Sequence, residues 1–243
     1  MELKKGRLML TFPHEKGKCK IDWTPVTGNG IIQRFKLKER GIKYPITAPE
    51  LSSLVGEVYL HGGEEFPVKR MRILENFYFG NSTENLWFPK SESNKEFRNG
   101  VVVYDNPDLE NPIFSIKKSE LLKKLEDAKR INVGGHPVFI SKDKSVRYTP
   151  FGFKTGEMNG SELAKNPYNV ALHLERGAEN VAQFFENYKK DPYLFAHKEG
   201  ELGGEERTMS AMNVDGGFSR NLCADGLSSG FKRGCSLGVI SED

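Results

Sequence analysis

The sequence predicts an α+β fold, a mixed and largely antiparallel β-sheet with a few packed helices. Two observations carry that reading. Short runs rich in β-branched and aromatic residues, bounded by Gly, Pro, Asn or Asp, recur along the chain and read as strands. Two segments have helical spacing, and they do not alternate with strands as a regular βαβ wind requires.

Between Leu8 and Val58 the strand-like runs include residues 7–12, 30–37 and 56–60. Further strands are predicted over 68–78, 100–104, 137–141 and 235–240, the last closing the sheet rather than forming a tail. The first helix is predicted over 119–130, with Ser119 as N-cap, an acid in the first turn, bases in the last, and Leu121, Leu122 and Leu125 on one face. The second, over 177–190, spaces Val181, Phe184, Phe185 and Tyr188 as a core stripe and stops before Pro192. At 243 residues one large domain is favoured. A division near 61–67 would set a β-rich portion, 1–66, before the remainder, 67–243, either as a separate unit or within the same domain.

Composition narrows the function classes. The 16 Phe and 8 Tyr provide core material that disordered chains lack. A net charge of +3 does not demand a polyanion, so nucleic acid is not the expected partner. Residues 1–40 nevertheless hold ten Lys/Arg against four acids, which suits a solvated strand face or a phosphate-bearing ligand. Cys19, Cys223 and Cys235 are odd in number and lack ligand spacing, which argues against a disulfide framework and a zinc site, and no cofactor is implied. No signal-peptide pattern and no run of about 20 apolar residues is visible, so a soluble, cytoplasmic protein away from membranes is expected.

Three segments could carry chemistry. In Ala211-Met-Asn-Val-Asp-Gly-Gly-Phe-Ser219 a short apolar strand ends in Asp-Gly-Gly, which offers a carboxylate and backbone N–H groups unobstructed by Cβ; the same dipeptide also makes ordinary hairpin turns. A second glycine pair precedes His136, a candidate acid, base or donor that equally suits a structural role. Arg147, ahead of Thr149-Pro-Phe-Gly-Phe153, has the fork that grips phosphate.

Together, Gly134-Gly-His-Pro-Val-Phe-Ile140, Arg147-Tyr-Thr-Pro-Phe-Gly-Phe153, the Asn213–Ser219 turn and the closing strand resemble the phosphodiester glycosidase family, that of the mannose-6-phosphate uncovering enzyme and its bacterial and phage relatives. Leu74-Glu-Asn-Phe-Tyr-Phe-Gly80 is similar to its Asn-Gly-Phe-Phe strand. The resemblance implies a hydrolase that cleaves a sugar-1-phosphodiester at the anomeric carbon. Asp215 would be its catalytic carboxylate with Glu75 as candidate partner, and Asn76, Gly135, His136, Arg147, Asn213, Gly216, Gly217, Ser219 and Arg220 would bind substrate. Phe218 and Arg220 stand where the family has glycine and serine. An aromatic face and a guanidinium in one turn suit a second reading, a non-catalytic module for a sugar phosphate or nucleotide. A third reading is a basic nucleic-acid-binding or phage structural protein. Oligomeric state is not legible.

Overall fold

The computed structural model describes residues 2–4, 7–14, 17–60, 78–89, 97, 99–187, 191–212, 221–225 and 234–242. The α+β expectation holds: helices pack on one large curled sheet, mostly antiparallel. At the centre of the sheet β3 (Gly17–Thr27), β14 (Gly234–Glu242), β5 (Tyr78–Phe88), β12 (Glu206–Met212) and β13 (Asn221–Asp225) lie side by side. β1 (Glu2–Lys4) and β2 (Arg7–His14) extend it beyond β3; β11 (Tyr193–Phe195) and β10 (Gly156–Glu157) extend it beyond β13. The short β4 (Tyr44–Pro45) also pairs with β14. A branch leaves β5 through β6 (Gly100–Asp105), β9 (Val146–Pro150), β8 (His136–Ile140) and β7 (Lys129–Val133).

The closing strand is internal. β14 runs antiparallel to β3, with Val239 opposite Ile21, and parallel to β5, with Cys235 opposite Phe79. Leu237 and Val239 are buried there, so β14 joins the two ends of the chain through core as well as ladder. Cys19 and Cys235 are buried, and burial pushes the Cys235 thiol up to about 12.

Strand β6 shows why both sheet faces are dry. Val101 and Val103 join Trp87, Leu51, Val181, Phe184 and Phe185 in the main core, while Val102 and Tyr104 join Phe88, Leu121, Leu125 and Tyr148 on the other face. This is the period-two alternation of a strand covered on both sides, and each fully buried valine contributes about 1.5–3 kcal/mol.

Several local expectations fail for identifiable reasons. Residues 30–37 form a helix, α1 (Gly30–Glu39), capped by Asn29 Oδ1, which accepts from Ile32 N at 3.0 Å. Its buried face is Gln33, Arg34 and Leu37, whereas Ile31, Ile32 and Phe35 are exposed, so the apolar residues do not mark the face that packs. Residues 56–60 continue α2 (Ala48–Val55) as a π-helical turn rather than a strand. Glu50 Oε2 accepts from Thr47 N at 2.7 Å and so closes the start of α2.

The first predicted helix is α3 (Lys118–Leu125); Ser119 lies inside its first turn behind the cap at Lys117, and Lys129 and Arg130 already belong to β7. Leu121 and Leu125 face the core as expected. After α4 (Gly160–Ala164), the second predicted helix is α5 (Pro167–Asn187), starting ten residues earlier than expected and broken at Leu174. Val181, Phe184 and Phe185 are buried as read, and Tyr188 lies outside the described residues. Gly177 lets α5 cross α2 in contact, because a Cβ there would collide with Ser52 Oγ. The division near 61–67, and most of the strand predicted over 68–78, also lie outside the described residues.

Candidate ligand-binding site

The sequence-predicted residues separate into two groups. Glu75, Asn76, Asn213, Asp215, Gly216, Gly217, Ser219 and Arg220 lie outside the described residues. The strands flanking them are described: Met212, the last residue of β12, pairs with Phe79 near the start of β5. The chain therefore leaves β12 at the end of the sheet where β5 begins.

Gly135, His136 and Arg147 are described and lie elsewhere. Gly134 and Gly135 form the two-residue turn of the β7–β8 hairpin, with Val133 paired to His136 and both glycines at positive φ, 58° and 89°. That is the type I′ requirement, so the turn accounts for this glycine pair. His136 is half-buried and lines an open cleft of about 380 Å³ with Lys154, Glu162, Lys165 and Asn166. Lys154 is itself paired with Glu162 at 2.8 Å.

Arg147 is fully buried in β9. Its Nη1 and Nη2 donate to Asp105 Oδ2 and Oδ1 at 2.6 and 3.1 Å. Its Nε donates to the Ala171 carbonyl at 2.7 Å and Nη2 to that of Leu172 at 3.2 Å, while Nη1 also reaches the Lys144 and Ser145 carbonyls. The protein takes up the whole fork, which therefore offers no donor to a phosphate. Through β6 the residue is level with Asn85, six positions along β5 from Phe79, on the order of 20 Å away by strand rise. Among the described residues, Arg147 lines neither the cleft beside His136 nor the end of β12.

An exposed aromatic pair lies on β11, next to the last strand of the sheet. Following Pro192, β11 alternates outward, inward, outward: Leu194 is buried, while Tyr193 and Phe195 are 39% and 36% exposed. Their ring centroids are 4.3 Å apart with the ring planes tilted by 40°, so the two rings pack against each other as one exposed aromatic pair, the β11 platform. Strand β13 runs parallel beside them, with Asn221 opposite Tyr193 and Cys223 opposite Phe195. Strand β10 closes the other side, with Glu157 opposite Tyr193. Just past the platform the His197 ring sits edge-on to buried Trp87 at 5.0 Å and its Nε2 lies 3.5 Å from Glu206 Oε2. Among the described residues no cluster of His, Cys, Asp and Glu could hold a metal ion. Nor, among them, is any helix long and apolar enough to cross a membrane.

The same architecture occurs in a solved structure described as the accommodation of massive sequence variation in Nanoarchaeota by the C-type lectin fold. It superimposes with a TM-score of 0.52 over 98% of this chain and 100% of that one, at 11% identity. The shared fold is the C-type lectin fold. No family model matches the chain, and no curated protein matches it. This overturns the resemblance to phosphodiester glycosidases, and with it the hydrolase and glycosidase assignments. The motifs that carried the resemblance are short, and one of them, Gly134-Gly135, is here a hairpin turn of a kind that unrelated folds also require.

Sequence reading passed over Tyr193 and Phe195. The signal was present but faint: two aromatic residues spaced i, i+2 around Leu194, directly after a proline. Such a triplet reads equally well as a buried strand, and only the pairing of β11 at a sheet margin turns its aromatic face outward.

Proposed function

We propose that this chain is a non-catalytic binding module whose ligand is a sugar phosphate or nucleotide, held against the Tyr193–Phe195 platform. The observation that carries the reading is the exposed aromatic pair in register with Asn221. Two adjacent aromatic residues partly left in water cost apolar hydration unless something covers them, and the apolar face of a sugar ring or a nucleobase matches the polarizable outer face of either ring.

Residues 213–220 join β12 to β13 and re-enter the sheet at Asn221, opposite Tyr193. We assign Arg220, the residue before Asn221, to the phosphate, and Phe218 to further stacking. Asp215, Asn213 and Ser219 accept from or donate to ligand hydroxyls, with Gly216 and Gly217 giving backbone access. Asn76 and Glu75, a few residues ahead of β5 in the sequence, are assigned further polar contacts to the ligand. A fold described elsewhere as accommodating massive sequence variation supports a division of labour in which β3, β14 and β5 hold the frame while the segments between strands set the ligand. The buried thiol of Cys235 fits a reducing, cytoplasmic setting.

The test is calorimetric titration with sugar-1-phosphates, nucleoside diphosphate sugars and the corresponding neutral sugars. Phosphate-bearing members should bind about tenfold more tightly than their neutral counterparts, the scale of one charge-assisted contact. Binding of none of them, or indifference to the phosphate, would remove the reading.

A further inference from the structure

The open cleft of about 380 Å³ beside His136 is built from elements other than the aromatic platform. It lies between the β7–β8 turn, Gly152 and Phe153 just past β9, and the corner where α4 gives way to α5. Neither Tyr193 nor Phe195 lines it. The size falls within the range of small-molecule sites.

Two glycines let these parts close up on one another. A Cβ on Gly134 would lie 2.7 Å from the Lys165 carbonyl oxygen, so glycine there lets the turn meet the corner. A Cβ on Gly152 would lie 3.2 Å from His136 Cε1, so the imidazole stands against bare backbone. His136 and Lys165, thirty residues apart in sequence, thereby line the same small space.

The polar lining divides by whether the protein already uses it. Lys154 Nζ donates to both carboxylate oxygens of Glu162 at 2.8 Å, and Glu162 Oε2 also accepts from Asn159 N at 3.0 Å. Asn166 Nδ2 donates to the Lys154 carbonyl at 2.8 Å, while its Oδ1 accepts from Tyr168 N at 3.0 Å. The side chains left over are His136, Ser161 and Lys165: among the described residues none of the three has a hydrogen-bond or ion-pair partner. Ser161 and Lys165 are four residues apart along α4 and its C-cap, so they stand on one side of it, and both are exposed.

All three leftover groups can donate, and none is a carboxylate. The Lys154–Glu162 pair cancels its own charge, and Glu186, which lies against Gly160 at the start of α4, does not line the cleft. Lys165 is therefore the lining's uncompensated cation. Uncommitted donors around one cation match an oxyanion, and donors that come from both the turn and the corner suit a tetrahedral phosphate better than a planar carboxylate.

From this cleft and its three uncommitted donors, we propose that it binds the phosphate group of a small phosphorylated molecule, between His136 on the turn and Ser161 and Lys165 on the corner. The site is separate from the aromatic platform and does not depend on the binding proposed there.

The probe is inorganic phosphate, added to the full chain at constant pH and ionic strength and followed through the His136 ring resonances, which are identified by their loss in His136→Gln. Phosphate should shift them saturably with a Kd of about a millimolar, and acetate should bind at least about threefold more weakly. Lys165→Gln should weaken phosphate about fivefold and leave the melting temperature without phosphate unchanged, since the side chain is exposed and unpaired among the described residues. Y193A/F195A and Arg220→Gln, which alter the platform site, should leave the His136 shifts intact. Absence of a saturable shift at tens of millimolar phosphate, acetate binding as tightly as phosphate, or an unchanged affinity in Lys165→Gln would overturn the proposal. So would loss of the His136 shifts in the platform variants, which would place the phosphate there instead.

Discussion

Arg147 and Asp105 face each other across β9 and β6 in a two-point pair, Nη1 to Oδ2 at 2.6 Å and Nη2 to Oδ1 at 3.1 Å. Asp105 Oδ1 also accepts from Thr83 Oγ1 at 2.7 Å, and that hydroxyl oxygen accepts from Ala48 N at 2.8 Å. The start of α2, three strands and the end of the first half of α5 are thereby joined through one buried charge pair. Removing Arg147 strands a carboxylate in a dry site, so Arg147→Met should destabilise by about 3–5 kcal/mol. Arg147→Lys should recover little of that, because an ammonium has three donors and no fork. Adding Asp105→Asn to Arg147→Met should cost much less than the sum of the single changes, and urea unfolding of the four proteins checks this. Strict additivity would mean that the pair is not coupled.

What the sequence made legible was the part that local pattern determines. The valine run of β6, the β14 strand and the Val181–Phe185 stripe are each visible in a window of a few residues, and each is buried where expected. What escaped depends on distant partners. Arg34 is buried in α1 because it donates to the Asn106, Asp108 and Asn111 carbonyls at 2.6, 2.7 and 3.0 Å, more than seventy residues away. No window around 30–37 contains that information, and the exposed Ile31, Ile32 and Phe35 point to the opposite face. Arg147 was singled out for a ligand because arginine in a bent strand suits phosphate, whereas its partners are helix carbonyls twenty-four and twenty-five residues on. The aromatic platform was missed because exposure is a property of where β11 sits in the sheet.

His173 should make stability fall with acid. Burial pushes its imidazole down to about 4; the Ala48 carbonyl, which accepts from Nδ1 at 3.1 Å, works against that, while the Arg147 charge reinforces it. The folded pKa lies below the unfolded value of about 6.5, so between these values the unfolded chain binds the additional proton. This contribution is fully present above about pH 6.5 and is lost as pH falls toward 4, for a total of about 3 kcal/mol. His173→Gln should flatten that part of the profile, measured as the difference between urea unfolding at neutral and at mildly acidic pH. An identical slope in parent and variant would show that His173 does not titrate in this window.

The β7–β8 turn should discriminate between its two glycines. A Cβ on Gly134 would lie 2.7 Å from the Lys165 carbonyl oxygen, whereas one on Gly135 would meet nothing within 4 Å. Gly134→Ala should therefore cost about 2 kcal/mol or more, and Gly135→Asn, a residue that tolerates positive φ, less than about 1 kcal/mol. Thermal unfolding gives the order, and neither change should alter binding at the aromatic platform. A reversed order would contradict the turn geometry.

The central claim is that the Tyr193–Phe195 platform is where ligand binds, and the Y193A/F195A variant tests it most directly. Because both rings are only partly exposed and pack on each other, while Leu194 between them keeps the core contact, their removal should cost about 2–4 kcal/mol of unfolding stability and leave the chain folded. Loss of stacking at about 1–3 kcal/mol per ring should nevertheless weaken the best-binding sugar phosphate or nucleotide at least tenfold in the same calorimetric titration. A variant that folds like the parent and binds that ligand with unchanged affinity would contradict the account.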